Sequence, residues 1–359
     1  MGGGAPQLGL DPAFWRGRRV LLTGHTGFKG GWAALWLHQL GVELTGLALA
    51  PTQPSLFESA HIGDVLHSHV VDVRDAQAVA RVVDEAQPQL VLHMAAQPLV
   101  RRALADPTES FAVNVLGTAH LLQALRSVPD LMAVLVVTSD KVYANNGNGN
   151  GHPHVEADRL GGREPYSASK ASAELVSAAM AQSFLSPNGV AVATARAGNV
   201  IGGGDFAPDR LVPDTVRAAL SGQCLALRHP GATRPWQHVL DCIAGYLCYL
   251  AALGAGQTLP PALNFGPRLR ARATVAQLAT AMLGAMGANQ TWMHVPDPNS
   301  LENNALALDS RLARRTLGWT ERLVDKHMIA ATATWYQAWA RGEDMRDVTL
   351  RQISDYQAL

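Results

Sequence analysis

The stretch RRVLLTGHTGFKG, residues 18–30, decides the fold. Its first half, RRVLLTG, is an aliphatic run that reads as a buried strand, and GWAALWLHQLG (31–41) follows with helical spacing and a closing glycine. Between them Gly24, Gly27 and Gly30 stand at the spacing GxxGxxG. Between a strand and a helix, the first glycine makes the tight turn and the later ones let backbone approach a pyrophosphate at the helix N-terminus. A glycine turn serving packing alone is the competing reading. The strand–turn–helix context favours a dinucleotide.

Outward from this unit, strands and helices alternate. VELTGLALA (42–50), SHVVDVRD (68–75), QLVLHMAAQ (89–97), LMAVLVVTSDKVY (131–143) and VAVATARAGNV (190–200) read as strands. DAQAVARVVDEAQP (75–88) and the segments 108–126 and 166–185 read as helices. Such alternation implies right-handed crossovers and an α/β fold with a Rossmann-type doubly wound parallel sheet. Past residue 200 the rhythm breaks into the loops GGGDFAPDR (202–210) and RHPGATRPWQHV (228–239), then a helical tail with several tryptophans. The expected division is a dinucleotide-binding domain of residues 1–200 and about 236–266, with a smaller, mainly C-terminal substrate-binding lobe of about 201–235 and 267–359. The Gly/Asn run at 145–151 reads as a mobile loop beside the site, because the elements on either side belong to one sheet.

Composition narrows the partners. A chain of 359 residues, 48% hydrophobic and 16% charged, buries a sizeable core and is not disordered. Basic and acidic residues balance at 29 each, which gives no electrostatic case for nucleic acid or an anionic membrane. The N-terminal MGGGAPQLGLDPAFWRG lacks a signal pattern, and the longest apolar stretch, CIAGYLCYLAAL (242–253), is too short to span a bilayer. Cys224, Cys242 and Cys248 are odd in number and have no metal-ligand spacing. The expectation is a soluble protein of the reducing cytoplasm, without a metal site.

Two further motifs carry chemistry. Tyr166 and Lys170 stand four apart on an expected helix, hence on one face. A nearby ammonium and a positive nicotinamide would both favour phenolate and lower the tyrosine pKa. TSDKVY (138–143) delivers Ser139, Asp140 and Lys141 to the end of a buried strand. Since neighbours on a strict strand face opposite sides, the backbone must turn there for Asp140 and Lys141 to act together. NAD and NADP both stay open, with a lean to NAD. Ala50 stands where an acidic ribose ligand is expected, and no Lys or Arg lies between 41 and 58 to take a 2′-phosphate. Asp72 reads either as an acceptor for the adenine amino group or as a turn-forming aspartate, and Lys29 as a phosphate ligand or a solvated charge.

Taken in order, TGHTGFKG, HMAAQ, TSDK, YSASK and AGNVIGGGD make the chain resemble the extended short-chain dehydrogenase/reductases. PSLFE, RAGNVIGGGDFAPDRLVPD, RPWQHV, NFGP and RGEDM…ISDY narrow the resemblance to the CDP-glucose group of the sugar-nucleotide 4,6-dehydratases, almost end to end. The resemblance implies an NAD-dependent lyase of deoxysugar biosynthesis, of the kind that serves lipopolysaccharide O-antigen. Its substrate would be a small-molecule nucleotide sugar, with no nucleic acid or membrane partner. A homodimer or dimer of dimers is implied through the helices near 110–126 and 166–184. Cofactor contacts are implied at Gly24, Thr26, Gly27, Phe28, Lys29, Gly30, Asp72, Val73, Ala95, Ala96, Gln97, Thr138, Tyr166 and Lys170. Substrate contacts are implied at Gln97, Ser139, Asn199, Arg210 and Arg234, the last three on the diphosphate. His25 and Gln97 each read either as facing the cofactor or sugar or as a satisfied structural polar group.

In the implied reaction Tyr166 takes the 4-hydroxyl proton while hydride leaves C4 for the nicotinamide, Ser139 holds the same oxygen, and Lys170 holds the ribose. The ketone acidifies C5, water leaves across C5 and C6, and the hydride returns to C6. Asp140 is the candidate acid for the departing 6-hydroxyl and Lys141 the candidate base at C5. Asp-Lys departs from the Asp-Glu of other sugar-nucleotide dehydratases and fits the CDP-glucose group. Phe206 replaces an expected Trp, and the loop ANNGNGNGHPHVEADRLGG (144–162) diverges where it borders the sugar. A 4-epimerase or reductase on the same fold needs only Ser139, Tyr166 and Lys170, which leaves Asp140 and Lys141 without work. A dinucleotide sensor needs no tuned phenol. Sugar turnover and accumulation of reduced cofactor separate the three.

Overall fold

The computed structural model describes residues 10–144, 153–268, 273–297 and 306–359. The Gly/Asn run at 145–151 and the start of the N-terminal stretch lie outside the described residues. Seven parallel strands form the central sheet: β1 (Arg19–Thr23), β2 (Glu43–Ala48), β3 (His67–Val70), β4 (Leu90–His93), β5 (Ala133–Val137), β6 (Ala191–Ala197) and β7 (Ala262–Phe265). Their spatial order is β7-β6-β5-β4-β1-β2-β3, every neighbouring pair parallel. Chain direction across the sheet reverses between β1 and β4, so a crevice opens at the carboxyl ends of those strands. The doubly wound α/β expectation holds.

β5 is buried along its whole length, so nothing but apolar side chains fits there, and it ends sooner than its apolar run suggests. Thr138 still donates its N–H to Ala195 on β6. Ser139 then accepts from the Lys141 N–H through its side chain and starts a 3-10 turn, Asp140–Val142. That turn supplies the change of direction that Asp140 and Lys141 require.

The helix Pro165–Met180 begins with proline at its first position, and the Glu164 carboxylate accepts from the Tyr166 and Ser167 amides at 2.7 and 2.9 Å. Its continuation to residue 185 runs through a π-turn, Ala181–Leu185. The expected helix at 108–126 is likewise continuous from Pro107 to Ser127, with a π-turn at Ala112–Leu116. Beyond residue 200 the chain leaves the sheet, then returns through the fully buried helix Val239–Gly254 and β7. Two C-terminal helices, Asp325–Ala340 and Met345–Ala358, pack their Trp335, Tyr336 and Tyr356 into the core shared with Trp32 and Trp36. Among the described residues no helix is long and apolar enough to cross a membrane.

Candidate active site

The glycine turn is built as backbone against backbone. Gly24 has φ +78°, and a Cβ there would lie 2.8 Å from the Ala95 nitrogen, while one at Gly30 would overlap the Gly24 carbonyl oxygen. Gly27 caps the helix Phe28–Gln39 without any side chain, so the first amides of that helix face the turn. This is a phosphate cradle that any side chain would fill, and it fits a dinucleotide pyrophosphate.

Thr23 and His93 fix its floor. The Thr23 hydroxyl accepts from the Met94 and Ala95 amides at 3.0 Å each, so its own proton goes to His93 Nδ1 at 2.7 Å. His93 Nε2 then carries the ring proton and donates to Thr118 at 3.0 Å. Burial drives the His93 pKa down to about 3, which keeps the ring neutral in this relay. Neither Thr23 nor Thr118 was legible in the sequence as part of a site, because only the fold brings β1, β4 and the helix Gly117–Ala124 together.

A cleft of about 1220 Å³ runs from this turn past the ends of β4, β5 and β6 to the segment 223–229. It is larger than the roughly 300–1,000 Å³ of a single-ligand pocket, as a site for a cofactor and a substrate must be. Gly24, Thr26, Gly27, Phe28, Lys29, Gly30, Asp72, Val73, Ala95, Ala96 and Thr138 all line it. Thr26 ties the turn to β2 by donating to the Leu49 carbonyl at 2.9 Å. Lys29 turns inward and donates to the Tyr246 hydroxyl at 3.2 Å. Asp72 is at the edge with its carboxylate already engaged by the Arg74 amide and guanidinium, which hold its pKa low; the turn-forming reading describes this geometry.

Gln97 is engaged within the protein, as its structural reading has it. It is buried but does not line the cleft. Its side chain donates to Ser110 at 2.9 Å and accepts from the Leu99 amide at 2.7 Å, while its own amide donates to Asn114 at 2.8 Å. Leaving these groups unpaired inside the protein would cost more than an exposed contact returns, so Gln97 is a bracket for the loop after β4. His25 is also a structural group, bonded to Ser68 at 2.8 Å, and burial lowers its pKa to about 4.

Ser139, Asp140, Lys141, Tyr166 and Lys170 meet in the middle of the cleft. Ser139 donates to Asp140 Oδ1 at 3.0 Å and stands near enough to the Tyr166 phenol to draw its pKa down. Asp140 is 2% exposed, and its Oδ2 has no hydrogen-bond partner among the described residues. Burial, opposed by Lys141 and Ser139, raises its pKa above the ordinary carboxylate range. Lys141 is half-buried with its ammonium 5.7 Å from the Tyr166 ring. Lys170 donates to the Val137 carbonyl at 3.1 Å, and burial together with Lys29 lowers its pKa to about 7.

At Tyr166 burial opposes the lowering of the pKa that the positive charges favour. Burial pushes it up to about 12 against the pull of Ser139 and Arg210. The expectation counted the positive charges and left out desolvation, which is the larger effect before a cationic ring enters the cleft.

Behind these groups lies an ion pair that the sequence did not announce. Glu174, one helical turn beyond Lys170, accepts from Thr138 at 2.6 Å and from Arg196 Nε at 2.7 Å. Arg196 reaches on to the Tyr143 hydroxyl at 2.8 Å and the Glu156 carbonyl at 3.0 Å. The spacing of Tyr166, Lys170 and Glu174 on one helix face was the available signal. On the far wall Asn199, Arg210 and Arg234 line the cleft. Asp205 holds Arg210 at 2.8 Å, and Arg234 is buried near enough to Asp140 to draw its pKa down.

This geometry agrees with what the chain is similar to. A CDP-glucose 4,6-dehydratase of Salmonella typhimurium is 42% identical over 97% of this chain and 98% of its own. The structure of a dTDP-glucose 4,6-dehydratase from Streptomyces venezuelae with NAD bound matches 91% of this chain and 99% of its own, with a TM-score of 0.77 and 26% identity. A UDP-glucose 4-epimerase from Thermus thermophilus in complex with NAD matches 89% of this chain and 99% of its own, with a TM-score of 0.77 and 25% identity. The family model described as the NAD dependent epimerase/dehydratase family matches residues 20–266, the span that holds the glycine turn, the Ser139–Tyr166–Lys170 group and all seven strands except the start of the first. By sequence, by sheet order and by this constellation, the chain belongs to the NAD dependent epimerase/dehydratase family.

Proposed function

We propose that this chain converts CDP-glucose to CDP-4-keto-6-deoxyglucose as a sugar-nucleotide 4,6-dehydratase. The observation that carries the reading is Asp140: a buried carboxyl with one oxygen on Ser139 and the other unpartnered, beside Lys141 and Tyr166. A 4-epimerase has no use for such a pair. The 42% identity to the Salmonella enzyme over nearly the whole chain supports CDP-glucose as the substrate.

The glycine turn Gly24–Gly30 would hold NAD, which would supply the hydride acceptor and donor that links C4 to C6 of the sugar. Tyr166, as the phenolate that a cationic nicotinamide would favour, takes the proton of the 4-hydroxyl, with Ser139 turning its proton from Asp140 to the same oxygen. Lys141 removes the C5 proton, now acidic beside a ketone, and Asp140 protonates the departing 6-hydroxyl from its unpartnered oxygen. Lys141 afterwards returns its proton to C5. One proton is then left on Tyr166 and one is missing from Asp140. Ser139 is bonded to Asp140 and stands near Tyr166, so in this reading it lies on the path by which the site regains its starting charge. Asn199, Arg210 and Arg234 hold the diphosphate, for which planar guanidinium groups are suited.

In this reading residues 201–235 and 267–359 are the sugar-nucleotide-binding lobe, which lines the cleft mainly through its first segment, with Asp205, Arg210 and Arg234. A homodimer is proposed through the helices at 107–127 and 165–185, whose Phe111, Leu116, Leu175 and Phe184 are exposed. Sedimentation of Leu175→Glu as a monomer would bear this out, and an unchanged mass would refute it. The free cysteines, two of them buried, suit a reducing cytoplasm, and the product suits the supply of deoxysugars for surface polysaccharide such as O-antigen. The function is tested by incubating the protein with CDP-glucose and NAD. Loss of one water from the sugar nucleotide (about 18 Da) without net NADH is expected, the cofactor being recycled. An unchanged mass, or a stoichiometric rise in NADH, overturns the reading.

A further inference from the structure

Asp205 connects the helix Asp325–Ala340 to the cleft. The loop that carries it is packed without room for side chains: Gly202 lies against Val239 and Phe28, Gly203 against the Trp335 indole, and Gly204, at φ +81°, against Leu56. Trp32 Nε1 donates to the Gly203 carbonyl at 2.8 Å, and the Tyr336 hydroxyl donates to the Asp205 carbonyl. Phe206 is enclosed by Trp335, Tyr336 and Trp339. With its backbone fixed in this way, Asp205 is 4% exposed and divides its carboxylate. One oxygen accepts from the Ala207 amide at 3.1 Å and the other from Arg210 Nη1 at 2.8 Å. Arg210 lines the cleft, close enough to Tyr166 for each to feel the other's charge.

A guanidinium on a flexible stem gains affinity for a diphosphate when its rotamer is set before binding, because the ordering cost is then already met. We infer that Asp205 is a positioning residue for substrate binding, presetting Arg210 toward the diphosphate, and that the helix Asp325–Ala340 takes part in the site through Tyr336. The inference rests on the reading that Arg210 contacts the diphosphate. Charge alone predicts the opposite effect. Removing the Asp205 carboxylate makes the cleft more positive and would tighten an anion, whereas losing the preset rotamer weakens it.

The test uses the full chain with NAD, reading the KM for CDP-glucose, kcat, and the Kd for CDP alone. Asp205→Asn is expected to raise KM and the CDP Kd about tenfold, the scale of one charge-assisted hydrogen bond, with kcat changed much less. Tyr336→Phe alters no charge in the cleft and is expected to shift KM the same way by a smaller factor; it also serves if Asp205→Asn does not fold. In an Arg210→Ala background either change is expected to add nothing further, since neighbours acting through one group are not additive. Tighter or unchanged CDP binding in Asp205→Asn overturns the inference, as does a full effect persisting in the Arg210→Ala background. If Arg210→Ala itself leaves CDP binding intact, it is the underlying diphosphate reading that falls.

Discussion

Replacing Glu174 by Gln perturbs the scaffold behind the reacting groups without changing its shape. Glu174 and Arg196 are 4% and 5% exposed, and both carboxylate oxygens are in use: Thr138 and Arg196 Nε on one, Thr194 and Arg196 Nη2 on the other. Whichever way a Gln amide points, its NH2 meets an Arg196 N–H, and the guanidinium loses its counter-charge. Breaking a buried pair by removing one partner costs about 3–5 kcal/mol. With an unfolding entropy near 2.1 cal/mol/K per residue over 359 residues, about 0.75 kcal/mol corresponds to one kelvin, so Tm falls by about 4–7 °C. Calorimetry at pH 7 measures this. Activity should fall with it, because Thr138 loses its anchor next to Ser139. The double variant Glu174→Met/Arg196→Met, which buries no charge, should be more stable than Glu174→Gln alone. A Tm for Glu174→Gln within 1 °C or so of the parent would refute the claim that the pair holds the helix Pro165–Met180 on β6.

Two further outcomes follow from the site. Lys141→Ala should bind NAD and oxidise C4 but fail to eliminate water, so that reduced cofactor accumulates at 340 nm (approximately the NADH band); normal dehydration by this variant would remove Lys141 from its role. Burial raises the Asp140 pKa, so its acid form persists above the usual carboxylate range and is lost as pH rises through that raised value. The pH profile of dehydration should therefore carry a falling alkaline limb that is missing from C4 oxidation of CDP-6-deoxyglucose, which has no 6-hydroxyl to protonate; a shared limb would assign it to another group.

What could be read from the sequence was local. The strand–glycine–helix unit at 18–30, the four-residue step from Tyr166 to Lys170, and the polar end of β5 each express their chemistry within one or two elements. The rest depends on residues far apart in the chain. Tyr336 reaches Asp205 across 131 positions, Lys29 reaches Tyr246 across 217, and Tyr143 reaches Asn264 across 121. Periodicity carries no trace of such contacts. Gln97 kept two readings for a related reason: a polar residue at the end of β4 faces either the cleft or the bracket of Ser110 and Asn114, and only the packing of the helix at 107–124 decides. At Tyr166 the opposing effect of burial was not visible, because a motif shows charges and not desolvation.

The most direct measurement follows the hydrogen at C4. CDP-glucose carrying deuterium at C4 is converted by the holoenzyme, and the product is analysed by NMR and mass spectrometry. Removal and return of one hydride within one site predicts a 4-keto-6-deoxy product with the deuterium at C6. Deuterium retained at C4 of an inverted sugar, or lost to the cofactor or to solvent, would contradict the account.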